Sequence, residues 1–361
     1  MKASINHLGD YNAQVTALTS DPVKRRRRLA MLAGGAALGG VAAVLSAPAA
    51  ATALGAAALG KTGLVAGASK FTGAVLASKG VTAALGGYKG LRLTQGYFGD
   101  LQHFSFLPVE LMGEVGSDDH EFVFINGFLS QDESEFADWH QAIMDLQLTA
   151  HTGVFADLNH SPGWHLRWDA KHLRQLQWSF TGSGVQTVLQ KPWRRAPVHM
   201  LSNIADNAWH HAYVNARKAG ALLADAIWQS PAHKRYTLVG HSLGARVAFY
   251  AMQHLAQLEA AAQSNRRPIQ HAVFLGAAQG RRNRDTWQLA SSVCQGQIFN
   301  CYSSTDSVLR WLYQSASVGM SKPAGRGPAP APVVNIDCTD VVDGHTQWKE
   351  SMSAFADRLQ T

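Results

Sequence analysis

From residue 100 onward, short and nearly unbroken apolar runs alternate with longer stretches in which apolar residues recur every three or four positions. The first pattern suits strands buried in a sheet and the second suits helices that pack on it. Strands are predicted at Glu121–Asn126, Trp164–Trp168, Tyr236–Gly240, Ala272–Gly276, Gln297–Tyr302 and Val333–Asp337, and helices at Phe136–Leu146, Ile204–Trp228, Ala245–Ala261 and Val308–Ser315. Such alternation predicts an α/β fold, a mostly parallel sheet with helices on both faces. The Pro/Gly-rich stretch Lys322–Pro332 is read as an exposed connection.

The first hundred residues follow another pattern. No charge occurs from Leu29 to Gly60, a run dominated by Ala, Gly and Leu, and Arg25–Arg28 stand just before it. A membrane-spanning helix needs about 20 predominantly apolar residues, and flanking arginines favour the cytoplasmic side. A second apolar stretch carries Lys61, Lys70, Lys79 and Lys89 within the near-repeat KTGLVAGAS, KFTGAVLAS, KGVTAALGG. Lysines about nine apart share one helical face, as in a helix lying on an anionic surface. The chain divides into a basic lead (1–28), an apolar segment (29–92) and a main domain (100–361). Three readings of 29–92 stand. It is a helical membrane hairpin or anchor with a cytoplasmic N-terminus; a twin-arginine export signal cut near Ala47-Pro48-Ala49; or an Ala-rich helical cap on the main domain.

Charge sharpens this division. The chain has 32 Lys and Arg against 25 Asp and Glu, a net +7. Ten of the basic residues lie between Pro22 and Gly99, where no acid occurs, so residues 100–361 carry a net charge of −2. A nucleic-acid partner is therefore not expected, because phosphate contacts need Lys and Arg in excess. At 46% apolar and 16% charged residues, the chain is neither disordered nor a coiled coil. Three cysteines make no disulfide framework. The 16 histidines are scattered without metal-binding spacing, and neither a metal nor an organic cofactor is expected.

The chemistry concentrates at Gly240-His241-Ser242-Leu243-Gly244, a G-x-S-x-G pentapeptide between the strand YTLVG and the helix ARVAFYAMQHLAQ. In that context the motif is a nucleophile elbow, the mark of the α/β-hydrolase fold. The sharp strand-to-helix turn lifts the serine hydroxyl clear of the sheet, and small residues at Gly240 and Gly244 avoid collision with neighbouring backbone. Serine needs a base, and the base an orienting acid, in the chain order Ser, acid, His. Asp306 follows the strand QIFNCY. His345 follows VVNID and is the only histidine beyond His271. Asp337, Asp340 and Asp343 are rival acids. Asp337 is read as capping the exit of the last strand and Asp343 as a turn residue. The oxyanion donors are expected from the amide of Leu243 at the helix N-terminus and from Gly127 or Phe128 after the first predicted strand. His241 is read as a packing residue, and Trp164, Trp168 and Trp209 as core.

The blocks VFINGFLSQ, LRWDAKHL, NARKAGALLADAIW, LVGHSLGARV, AVFLGAAQG, NCYSSTDSVLRWLY and VDGHTQWKESM together resemble the α/β-hydrolases of the transmembrane-and-coiled-coil-domain family, catalogued as a domain of unknown function. The resemblance runs from about residue 80 to 355. It implies a serine hydrolase, lipase-like and membrane-bound, with Ser242, Asp306 and His345 as the triad, and it strengthens the membrane reading of 29–90. The sequence departs from its relatives in carrying His241 where they tend to have an aromatic residue, and in its four-arginine lead. The function expected is cleavage of a carboxylic ester, an acyl ester or lipid, at a membrane. An exported esterase and a non-catalytic membrane adaptor on the same fold are the alternatives.

Overall fold

The computed structural model describes residues 5–19, 98, 101, 104–110, 119–127, 137–168, 202–315 and 322–360. The apolar segment 29–92 and Phe128 lie outside these residues. Seven strands form one sheet: β1 (Ser105–Val109), β2 (His120–Ile125), β3 (Gly163–Arg167), β4 (Arg235–His241), β5 (Ile269–Leu275), β6 (Ile298–Tyr302) and β7 (Val334–Asp337). Their order is β1-β3-β2-β4-β5-β6-β7. All neighbours are parallel except β1, which runs antiparallel to β3. The described helices are α1 (Asn12–Thr19), α2 (Ala137–Thr149), α3 (Ser202–Gln229), α4 (Leu243–Ala262), α5 (Arg284–Ser291), α6 (Ser307–Ser315) and α7 (Met352–Phe355).

Burial follows from strand position. The central strands β2, β4 and β5 are buried on both faces, as parallel strands covered by helices must be. Successive side chains point to opposite faces, so β2 feeds two cores. Val123 and Ile125 join a core with α1, α3 and α4, while Phe122 and Phe124 join Trp139, Trp348 and Phe355 on the other side. On the first side α3 lies close against α4, because Gly220 has no side chain; a Cβ there would stand 2.7 Å from the Val247 carbonyl. At one end of the sheet Lys234 donates to the buried Glu121, whose other carboxylate oxygen accepts Trp164 Nε1–H at 2.6 Å. Burial raises the Glu121 pKa, and these donors oppose that rise.

All six predicted strands and four predicted helices are present. Four elements are additional: α1, β1, α5 and α7. Strand β1 contains Pro108, which is tolerated because β1 lies at the sheet edge, where one ladder goes unused. The stretch Lys322–Pro332 corrects the expectation of an exposed connection. Pro323, Ala324, Gly325, Gly327 and Ala329 are buried. Ala324 N–H donates to Gln279 O (2.7 Å), Gly325 N–H to Ala277 O (3.0 Å) and Ser303 N–H to Gly325 O (3.0 Å). The residues that mark a loop by composition serve here to bring backbones close. A Cβ on Gly325 would stand 2.3 Å from Gly276 C.

Burial also keeps several histidines neutral. The pKa of His120 falls to about 4, and those of His165 and His254 to about 3, in each case chiefly through desolvation. The unfolded chain binds a proton at each below its ordinary pKa of about 6.5, whereas the folded protein does not until pH 3–4. Their contribution to stability is therefore complete above about pH 6.5 and declines as pH falls toward 3–4. Urea unfolding between pH 7.5 and 5 is expected to show stability falling by up to about 1.4 kcal/mol per pH unit for each such histidine. The dependence should become shallower in His254→Gln.

Candidate active site

The site is built on the turn from β4 into α4. Ser242 sits at the N-cap of α4 with φ 56° and ψ −116°, a conformation that costs a non-glycine residue about 1–3 kcal/mol. Neighbouring backbone holds it there: Ser242 N–H donates to Leu275 O (2.9 Å), and Ala278 N–H donates to Ser242 O (3.0 Å). Gly240 and Gly244 are required sterically. A Cβ on Gly240 would stand 2.6 Å from Ala245 N, and one on Gly244 would stand 2.1 Å from Ile125 O. Leu243 is the first residue of α4, so its N–H has no acceptor within the helix. The positive end of the 20-residue helix is directed at the same point.

Three side chains meet here from distant parts of the chain. His345 Nδ1 lies 2.7 Å from Asp306 Oδ2, and His345 Nε2 lies 2.8 Å from Ser242 Oγ. With Nδ1–H donating to the carboxylate, Nε2 is free to accept the serine proton. Asp306 follows β6 and caps α6, its Oδ1 accepting Leu309 N–H at 2.9 Å. The carboxylate therefore cannot turn without uncapping a helix. Ser242, Asp306 and His345 are all buried, which excludes water from the hydrogen-bonded chain.

The rival acids are occupied elsewhere. Asp337 accepts Thr339 N–H at 3.0 Å and the Thr339 hydroxyl at 2.5 Å just beyond β7, so it does cap the strand's exit. Asp340 pairs with Arg358 at 2.6 Å. Asp343 is exposed, in the turn where Gln347 Oε1 accepts both Asp343 and Gly344 N–H.

Gly127 packs on the elbow. A Cβ at this position would stand 2.1 Å from His241 O and 2.6 Å from Ser242 Cβ. The loop it belongs to is clamped by two tryptophans. Trp168 Nε1–H donates to Asn126 O at 2.8 Å, and Trp139 Nε1–H donates to Asn126 Oδ1. Trp168 is thus core, as expected, but it also carries this hydrogen bond; Trp209 is buried and Trp164 partly so.

His241 does more than pack. Its Nε2–H donates to the backbone carbonyl of His345 at 3.0 Å, and the two rings lie 4.9 Å apart. Burial, with His345 and Lys349 nearby, holds its pKa well below the ordinary histidine range. The ring stays neutral and grips the loop that carries His345. No spacing in the sequence pointed to this contact or to the Asn126 clamp, because the partners lie 104 residues apart in the first and 13 and 42 residues apart in the second. Among the described residues no group of His, Cys, Asp and Glu is disposed to hold a metal ion, and no helix is long and apolar enough to cross a membrane.

A sequence profile described as "Protein of unknown function (DUF726)" matches residues 23–360. The chain belongs to this family. Among similar proteins, the uncharacterized membrane protein C6F6.13c of Schizosaccharomyces pombe is 33% identical over 155 residues, 42% of this chain and 19% of that protein. "Probable lipase MIL1" of Saccharomyces cerevisiae is 32% identical over 162 residues, 44% of this chain and 14% of that protein. The transmembrane and coiled-coil domain-containing protein STS1 of rice (Oryza sativa subsp. japonica) is 27% identical over 214 residues, 54% of this chain and 32% of that protein. The matched regions thus span at most about a third of these relatives.

The tightest steric constraint in the site yields a direct test. Gly127→Ala places a methyl group against backbone that cannot retreat without moving Ser242. It is expected to lower stability by about 1–3 kcal/mol, measured as a lower thermal midpoint, with loss of whatever reactivity Ser242 has in the wild type.

Proposed function

We propose that this protein is a membrane-associated serine hydrolase that cleaves a carboxylic ester, an acyl ester or a lipid, through an acyl-enzyme. The observation that carries the reading is the unbroken chain Asp306–His345–Ser242, joined at 2.7 and 2.8 Å, with its serine on a strained elbow at a helix N-terminus. Ser242 Oγ attacks the ester carbonyl carbon while its proton passes to His345 Nε2, and Asp306 stabilises the imidazolium. The oxyanion is held by the Leu243 amide and by an amide from Gly127 or Phe128. Collapse of the tetrahedral intermediate breaks the ester C–O bond, and the alcohol leaves with the proton from His345. Water, deprotonated by the same histidine, then releases the acid and restores Ser242.

The lipid part of the proposal rests on the apolar segment 29–92, on the membrane-protein names of two relatives and on the lipase name of a third. The reading of that segment as an anchor places the active site near acyl chains. No organic cofactor or metal is required by this chemistry.

A fluorophosphonate probe tests the nucleophile. Wild type should label at Ser242 and Ser242→Ala should not; a folded wild type that stays unlabelled would favour the adaptor alternative. Asp306→Asn keeps the hydrogen-bonding shape but favours the wrong imidazole tautomer. Ester turnover is expected to fall by about 10⁴-fold, measured as kcat on a series of p-nitrophenyl acyl esters. A change of less than tenfold would remove Asp306 from the triad.

A further inference from the structure

The chain ahead of the apolar segment is built into the domain that follows it. Leu8 and Tyr11 are fully buried, Ile5 and Val15 nearly so, and all four belong to the same core as Phe98, Leu101, Phe104 and Phe106. Tyr11 Oη–H donates to Asp225 Oδ2 on α3 at 2.6 Å, a buried hydrogen bond across 214 residues. Asn12 acts as a short piece of strand. Its Nδ2 donates to Phe106 O and its Oδ1 accepts Phe106 N–H, both at 2.8 Å, along the outer side of β1. Gly9 lies against the Trp164 ring, where a Cβ would stand 2.9 Å from Cζ3.

We infer that Ile5–Thr19 is a permanent part of the hydrolase domain, so that the chain before the apolar segment and the chain from Phe98 onward form one folded unit. Two consequences follow. Any bilayer entered by an anchor between these flanks would be crossed an even number of times or not at all, because both flanks belong to one folded unit. Residues 5–19 therefore share a side of the membrane with Ser242. Cleavage near Ala47-Pro48-Ala49, as an export signal requires, would detach from the polypeptide a segment that fills the core and closes the sheet edge. The bilayer half of the inference rests on the membrane reading above; the docking half stands without it.

The test uses the full chain in detergent, with an affinity tag at the N-terminus and a specific protease site placed at Ala50–Ala53. After cutting, capture of the tag should retain the bulk of residues 98–361. Tyr11→Ala/Asn12→Ala should release most of it, and the milder Tyr11→Phe a part. Release from the cut wild type, or retention unchanged by the double substitution, would overturn the inference. Sidedness is read separately in sealed vesicles with a membrane-impermeant maleimide on Ala13→Cys and Glu350→Cys. Both positions are exposed, and the native Cys294, Cys301 and Cys338 are buried. The two single variants should react from the same side, and reaction from opposite sides would overturn it. If carbonate instead strips the protein from membranes, the membrane reading fails, and the capture result alone decides whether the N-terminal segment belongs to the domain.

Discussion

The arrangement of the site depends on three backbones held closer than side chains would permit. The exit of β2, the β4–α4 turn and the exit of β5 pack directly on one another, through Gly127, Gly240 and Gly244 and the hydrogen bonds of Ser242 to Leu275 and Ala278. Ser242 is held at φ 56° by the bonds of its own N–H and C=O to the chain at the exit of β5, over-determination of the kind that lets a strained backbone persist. The strain is distributed over a close-packed contact that the central, fully buried strands make rigid. A serine fixed by backbone in this way needs no side chain to hold its position, and its hydroxyl is left to meet His345 Nε2 at 2.8 Å.

The other two members arrive on loops, and the loops are tied down by polar contacts. Ser303 Oγ–H donates to Val342 O at 2.8 Å, linking the loop that carries Asp306 to the one that carries His345. His241 reaches across to the His345 carbonyl. Beneath them Asn300 Nδ2 donates to Asn335 Oδ1 at 3.0 Å and to Ala324 O at 3.1 Å, joining β6, β7 and the buried Pro/Gly stretch. Ser303, His241 and Asn300 are buried, so leaving any of these groups unsatisfied would cost more than its bond contributes. Asp306 and His345 lie 39 positions apart in the chain, and this network sets their separation in space.

The central sheet was legible in the sequence because its strands are buried on both faces and appear as continuous apolar runs, such as FVFI in β2 and YTLVG in β4. The elbow was legible because its steric demands fall on adjacent residues. What escaped depends on contacts remote in sequence. Strand β1 has too few buried positions and contains a proline, so nothing in SFLPV distinguishes an edge strand from a loop. Lys322–Pro332 has the composition of a surface connection, and only its position over the ends of β5 and β6 makes its small residues a packing device. His241 looked like filler because its partner is a carbonyl 104 residues away.

The N-terminal lead shows the same limit, and it changes how the charge division is understood. Partition of the charge separates a basic N-terminal part from a nearly neutral main domain, yet the structure does not divide at that boundary. Strand β1 is the edge of the sheet, and an edge with free N–H and C=O groups is a template for pairing with other chains. Asn12 occupies both groups of Phe106, Pro108 offers no N–H, and α1 covers what lies between. The edge is thus closed by residues that precede Arg25–Arg28 in the chain. The domain core is likewise completed by residues from both sides of the apolar segment: Leu8 and Tyr11 before it, and Phe98, Leu101, Phe104 and Phe106 after it.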